Sequence, residues 1–225
     1  MKVKILRQES PASESYWETF DYDGPTDISI AGLMDHLNYN DDIIDDQGNK
    51  TTRIAWECSC LQGVCGACAM VINNVPALAC DTFIKDIKKT PIEIRPLRKF
   101  PVIKDLMVDR SVIQENLTKT DTYIEQYSPS DSGDHDQQYD IAKCLKCGLC
   151  LEVCPNYVNG ASFFGALFAN DCYLVASRNK DKSKTVRDFY KEHFGKTCSK
   201  SFACMEVCPM NIPTLSSIGK LNKKK

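Results

Sequence analysis

The sequence predicts an α+β chain of two domains, a β-rich unit over residues 1–100 and a helical unit over residues 101–225. Three observations carry this expectation. Short runs of alternating apolar residues surround a single amphipathic helix in the first part, whereas apolar residues recur at helical spacing from Ile141 onward. A chain of 225 residues is long enough for two modest domains, each with its own core. The cysteines fall into groups, one over Cys58–Cys80 in the first part and two, Cys144–Cys154 and Cys198–Cys208, in the second.

Taken in order, Lys2–Arg7 alternates as a strand and Tyr16–Tyr22 is a second, aromatic-rich one. Pro11 and the serines between them suit the turn of a hairpin. Thr26 or Asp27 is the expected cap of a helix with Ile30, Leu33, Met34 and Leu37 on one face. Residues 38–48 are acidic and turn-rich and read as a solvated loop, because they lack the spacing and final Glu of an EF-hand. Ala69–Ile72 is a strand, Asn73-Asn74 a turn, Leu78–Cys80 the returning chain, and Pro91–Arg95 a closing strand. A hairpin, a helix and later strands around a cysteine loop form a β-grasp ferredoxin pattern.

That loop reads Cys58-Ser-Cys60-Leu-Gln-Gly63-Val-Cys65-Gly66-Ala-Cys68, with Cys80 beyond it. The spacing Cys60-x4-Cys65-x2-Cys68…Cys80 is that of a plant-type [2Fe–2S] site. A loop wrapped around a small anionic cluster must aim thiolates and N–H groups inward, and Gly63 and Gly66 permit the positive φ this needs. A four-cysteine zinc site is the competing reading, but zinc usually pairs two C-x2-C knuckles and only one is present in this segment. Cys58 has the wrong span to Cys65 and is taken as a neighbour of the site, not a ligand.

Residues 96–109 read as a connector running into a helix with Ile103, Leu106, Met107 and Ile113 on one side, and residues 128–136 as a polar loop. Ser162 is the expected cap of a helix over 163–177, Ser183 the start of another ending at Gly195, and Pro213 the first residue of a last one reaching Leu221. His36, His135 and His193 are each expected to be solvated and without a catalytic role. Cys172 falls inside a helix and reads as a small buried apolar residue. The three terminal lysines read as a solvated tail.

The two later cysteine groups are Cys144-x2-Cys147-x2-Cys150-x3-Cys154-Pro155 and Cys198-x5-Cys204-x3-Cys208-Pro209. The first is the run of a bacterial two-cluster ferredoxin, in which the fourth cysteine ligates the other cluster. On that arrangement Cys144, Cys147, Cys150 and Cys208 hold a [4Fe–4S] cluster. Cys154, Cys198 and Cys204 are then left for a third site, where Ser201 stands in the place of a cysteine. Three thiolates suit a [3Fe–4S] cluster, since a soft iron–sulfur site favours thiolate over a hydroxyl that must lose its proton. Eleven of the thirteen cysteines are then assigned.

Composition narrows the setting. A formal net charge of −2 gives no reason to expect nucleic-acid binding. Met1-Lys-Val-Lys-Ile-Leu-Arg7 has no apolar signal region, so reduced thiols are expected instead of disulfides. No apolar run approaches the ~20 residues of a membrane helix. There is no G-x-G-x-x-G and no nucleophile–base pair, so bond-changing chemistry is expected on a partner.

The succession of a plant-type loop, a connector and paired C-P runs resembles the iron–sulfur subunits of succinate dehydrogenase and fumarate reductase, over nearly the whole chain. Particular matches are Gly63-Val-Cys65-Gly66-Ala-Cys68-Ala-Met70, Pro96-Leu97 followed by Phe100-Pro-Val-Ile-Lys-Asp-Leu106, and the 198–209 run. The resemblance implies a β-grasp domain facing a flavoprotein with covalent FAD, where succinate and fumarate interconvert. It also implies a helical domain whose last cluster faces a quinone in a membrane anchor, together with haem b where the anchor carries it. The chain would then sit as a peripheral subunit on the cytoplasmic face of the cell membrane. Ubiquinone-using relatives have two tryptophans after the first C-P and a histidine after the first cysteine of the second run. This chain has Val158, Asn159 and Ser199 there, so a menaquinone-type anchor fits better, with Ser199 a candidate quinone contact. Two other readings stay open: a related oxidoreductase subunit with a soluble donor such as a thiol or with another enoate substrate, and a free-standing multi-cluster ferredoxin. Co-purification of a flavin-bearing chain and an anchor separates the last from the others.

Overall fold

The computed structural model describes residues 1–123 and 134–223. Most of the expected 128–136 loop, and Lys224 and Lys225, lie outside them. The chain divides into two compact units, Met1–Asp109 and Arg110–Lys225.

The first unit is built on a five-stranded mixed sheet. Strands β1 (Lys2–Arg7) and β2 (Tyr16–Asp21) form the expected hairpin, followed by β5 (Ala69–Ile72), β6 (Val75–Leu78) and β7 (Ile92–Arg95). The order is β2-β1-β7-β5-β6, with β1 and β7 parallel and the other pairs antiparallel. A parallel pair needs a long crossover, and the helix α1 (Ile30–Asn38) lies within it. Alternation buries Val3, Ile5, Ile92 and Ile94 on one face, while Ile30, Leu33 and Met34 of α1 are fully buried. Truncating any one of these to Ala would cost about 2–5 kcal/mol.

The cap of α1 is Ser29, whose Oγ accepts the Gly32 N–H at 3.2 Å, and not Thr26 or Asp27. Thr26 and Ile28 are engaged elsewhere, since their carbonyls accept the N–H groups of Lys85 and Ile84. The acidic stretch after α1 holds a small hairpin, β3 (Ile43–Ile44) with β4 (Lys50–Thr51), which buries Ile43. Lys50–Asp42 and Arg53–Asp41 ion pairs take up part of its charge.

The connector also departs from expectation. Residues 102–108 form a hairpin, β8 (Val102–Lys104) and β9 (Met107–Val108), and Ile103 is exposed. Asp105 at its tip has φ +47 and is buried, and its carboxylate accepts from Arg7 Nε and Gln8 N at 3.0 Å and from Ala55 N at 2.9 Å. Satisfying a buried carboxylate with this many donors outweighs the helical spacing of Ile103, Leu106 and Met107. The helix α2 (Ser111–Lys119) begins only afterwards.

The second unit packs α3 (His135–Ala142), the short α4 (Leu149–Glu152), α5 (Gly165–Arg178), α6 (Lys180–Tyr190), the short α7 (Ala203–Glu206) and α8 (Thr214–Asn222). α5 is buried nearly all round and holds the fully buried Cys172. The caps differ from those expected. α6 starts at Asn179, whose Oδ1 accepts from Asp181 N and Lys182 N at 3.0 Å. Ser162 is not the cap of α5, which starts at Gly165 with Phe164 at the cap position and no side-chain cap; the Ser162 carbonyl lies 2.9 Å from His193 Nδ1. His193 is therefore not a solvated histidine: its ring stacks on Phe164 with centroids 4.1 Å apart. His135 opens α3 instead of lying in a loop, while His36 is exposed, edge-on to Tyr22 at 5.0 Å.

Candidate iron–sulfur sites

In the first unit, strand β5 leaves the cysteine loop at Cys68, and Cys80 sits on a 3-10 turn after β6, so the sheet fixes both ends of the site. Leu61, Gly63 and Gly66 all have positive φ, which curls the backbone inward. The Gln62 N–H donates to Cys60 Sγ at 3.3 Å and the Gly63 N–H to Cys80 Sγ at 3.2 Å. The sulfurs come together in pairs. Cys68 and Cys80 Sγ lie 3.4 Å apart, and Cys60 is hydrogen-bonded to Cys65. Among the described residues, no three His, Cys, Asp or Glu side chains converge as a single-ion site requires. Two thiolate pairs suit a group with two metal atoms, one pair to each.

The thiols feel opposite pulls. The Gln62 N–H, then Cys65, draw the Cys60 thiol down to about 7. Burial, then the neighbouring Cys68, pushes Cys80 up to about 11. Cys58 lies outside the pairs and is exposed, and burial of its sulfur raises its thiol.

In the second unit the two cysteine runs are copies offset by 54 positions, Cys144 onto Cys198, Cys150 onto Cys204 and Cys154 onto Cys208. Ser201 takes the position of Cys147. The backbone repeats as well. Lys146 (φ +53) and Gly148 (φ +86) are matched by Lys200 (φ +58) and Phe202 (φ +62), and α4 is matched by α7. The hydrogen bonds Leu151 N to Gly148 O (2.9 Å) and Met205 N to Phe202 O (2.8 Å) correspond too. Each run passes through two left-handed residues into a short helix, after which its last cysteine lines the other run's cavity.

Two cavities result. Cys144, Cys147, Cys150 and Cys208 line the first, and Cys154, Cys198 and Cys204 line the second together with Ser199 and Ser201; Cys204 also borders the first. Cys208 is thus brought to the first run's cysteines and Cys154 to the second's. None of the three histidines lines either cavity, and Val158 and Asn159 line neither.

The donor set of each cavity fits an iron–sulfur group. Burial pushes the Cys147 and Cys204 thiols up to about 11 and holds Cys150 well above its ordinary value. Thiolates at this depth need a cation beside them, so loading with iron displaces protons. Asn170 borders the first cavity and Asn156 the second, and each has a buried Oδ1 without a partner. Turning the Asn170 amide would put its NH2 group where the unpartnered oxygen now lies and leave its oxygen to accept from Thr214 Oγ1, now 2.9 Å from Nδ2. Lys146, on the wall of the first cavity, and its pairing with Asp171 behind it were not found by sequence reasoning, since no spacing rule links them.

Family models for iron–sulfur binding match both parts of the chain. A 2Fe-2S iron-sulfur cluster binding domain model matches residues 2–115, a 4Fe-4S double cluster binding domain residues 143–211, and a 4Fe-4S dicluster domain residues 108–159. The chain is 31% identical to the succinate dehydrogenase iron-sulfur subunit of Bacillus subtilis (strain 168), covering 97% of this chain and 90% of that one. It is also 31% identical to the fumarate reductase iron-sulfur subunit of Mycobacterium tuberculosis, covering 97% and 89%. A chain of the Mycobacterium smegmatis Sdh1 complex in the apo form shares the fold, with a TM-score of 0.74 at 22% identity over 98% of this chain and 94% of that one. The α+β class, with a [2Fe–2S] domain followed by a double-cluster domain, is as expected, and the cofactors are the family's [2Fe–2S], [4Fe–4S] and [3Fe–4S] clusters. Among the described residues no helix is long and apolar enough to cross a membrane. The chain belongs to the family of succinate dehydrogenase and fumarate reductase iron–sulfur subunits, the electron-transfer subunits of those complexes.

Proposed function

We propose that this chain passes single electrons between an FAD flavoprotein, where succinate and fumarate interconvert, and a quinone held in a membrane anchor. Cys60 and Cys65 would hold one iron of the [2Fe–2S] cluster and Cys68 and Cys80 the other. Cys144, Cys147, Cys150 and Cys208 would hold [4Fe–4S], and Cys154, Cys198 and Cys204 would hold [3Fe–4S]. When bound, these clusters supply the one-electron carriers. The chain's own residues position the thiolates, donate N–H groups to sulfur, and keep water away with the buried faces of α5 and α8.

The observation that carries this reading is the copied backbone of the second run with Ser201 in the place of Cys147. One serine on an otherwise repeated frame supports two clusters of different nuclearity, a division that suits a relay. At the second cavity Phe202 and Leu215 are exposed beside Ser199, which supports an apolar acceptor on that side. Val158, Asn159 and Ser199, in place of the residues of ubiquinone-using relatives, support menaquinone. The anchor would bind haem b or lack it according to its own sequence, and the complex would face the cytoplasm.

The test is purification of the intact complex under anaerobic conditions. A large flavin-bearing chain and a small apolar chain should accompany this one, and a naphthoquinol should drive fumarate reduction better than a ubiquinol analogue. EPR should show an oxidised-state three-iron signal, which diminishes in Ser201→Cys as a cubane forms. A native preparation with two four-iron clusters would overturn the ligand count, and a chain that purifies alone would overturn the partners.

A further inference from the structure

Lys146 sits two residues after Cys144 and directly before Cys147, in a left-handed conformation (φ +53) that places its side chain on the wall of the first cavity. Its ammonium is paired with the carboxylate of Asp171 on α5. Asp171 is buried (7% exposed) and, unlike Lys146, does not line the cavity. The pair is therefore a dipole with its positive end toward the four thiolates and its negative end behind. Arg110 adds a second cation nearby, donating from Nη1 to the Cys147 carbonyl at 3.2 Å. The copied position in the second run, Lys200, is exposed, and among the described residues no carboxylate pairs with it. The arrangement is thus not a by-product of the loop's backbone, which both runs share.

We infer that Lys146, held by Asp171, is a positioning charge that raises the reduction potential of the group bound by Cys144, Cys147, Cys150 and Cys208. This rests on the ligand assignment above. The step is a one-electron exchange: an electron arrives from the donor side and leaves to the acceptor side, and no bond is made or broken. Every electron added at the four thiolates deepens a negative charge, and cluster potentials follow net charge and solvent exposure. A fixed positive charge on the partly buried wall of the cavity, screened less than one in open solvent, favours the state with the extra electron. Asp171 both holds the ammonium in place and limits the size of its effect, so the pair sets an intermediate value.

The test is an EPR-monitored redox titration of the whole complex, following the four-iron signal. In Lys146→Met the midpoint should shift downward, because the carboxylate remains without its cation. In Asp171→Asn it should shift upward. The double variant should lie between the two, close to the unaltered protein, and the midpoints of the other two clusters should hold in all three. A purely structural ion pair predicts lower stability with no shift of midpoint. Unmoved midpoints in both single variants, or shifts in the same direction, would overturn the inference. If Lys146→Met fails to load, Asp171→Asn decides alone, and the absence of its upward shift overturns the inference. A complex with no four-iron signal even before substitution would instead remove the ligand assignment, and this inference with it.

Discussion

The runs 144–155 and 198–209 are two answers from one backbone. Both pass through left-handed residues at the third and fifth positions, both turn into one short helix, and both end in Cys-Pro. They differ in residue type at five positions: Leu145 against Ser199, Cys147 against Ser201, Gly148 against Phe202, Leu149 against Ala203 and Leu151 against Met205. The shared lysine differs in its setting, partly buried and paired with Asp171 at Lys146 and exposed at Lys200. The frame is therefore a means of aiming sulfur, and the character of each site is set by single substitutions on it. Three experiments test how far that division holds.

The largest effect concerns the exchanged cysteines. If each run donates its last cysteine across, Cys154→Ala should abolish the three-iron signal while leaving the four-iron one, although Cys154 belongs to the first run. Cys208→Ala should do the reverse. Iron analysis and EPR spin counts on the purified complex check this, and loss of the cluster nearer in sequence would break the reciprocal arrangement.

An intermediate effect concerns Gly148 and Phe202. A left-handed residue with a side chain is strained by about 1–2 kcal/mol. Gly148→Ala should therefore lower stability by about that much, seen as earlier thermal bleaching of the visible absorbance. Phe202→Gly should relieve the strain, but the added chain entropy of glycine offsets about 0.5–1 kcal/mol of the gain. The net stabilisation should be smaller than the loss at Gly148. Equal and opposite changes would mean that the strain of Phe202 is relaxed by its surroundings.

What could be read from the sequence follows from the physics of each feature. Most ligands of a cluster come from one short loop, so their spacing is written along the chain and all three cysteine groups are visible there, while the last cysteine of each site comes from a distant segment. The β1–β2 hairpin and the apolar face of α1 are visible for the same reason, because strand and helix periods are local. The 102–108 hairpin is not, because its shape depends on Asp105 meeting Arg7, nearly a hundred residues away. α3 was hidden because two of its inward residues are Gln137 and Gln138, buried through hydrogen bonds to Ser217 and Ser177 at 3.2 and 3.1 Å, without an apolar pattern. The pairing of Lys146 with Asp171 is invisible too, since only the folding of α5 against the first run brings them together.

The smallest expected effect is at Lys200, and it sharpens the comparison most. Lys200 occupies the same loop position as Lys146 and borders the second cavity. It is exposed, however, and among the described residues has no carboxylate partner, so solvent and salt screen its charge. Lys200→Met should therefore move the three-iron midpoint much less than Lys146→Met moves the four-iron one, and the small shift should shrink further as salt is raised. Paired redox titrations at low and high ionic strength read both effects from one preparation. A salt-insensitive shift at Lys200 as large as that at Lys146 would mean that the loop position sets the potential whatever its burial. The difference between the two sites would then rest on the substituted positions, Ser201 and Phe202 foremost, and not on this lysine.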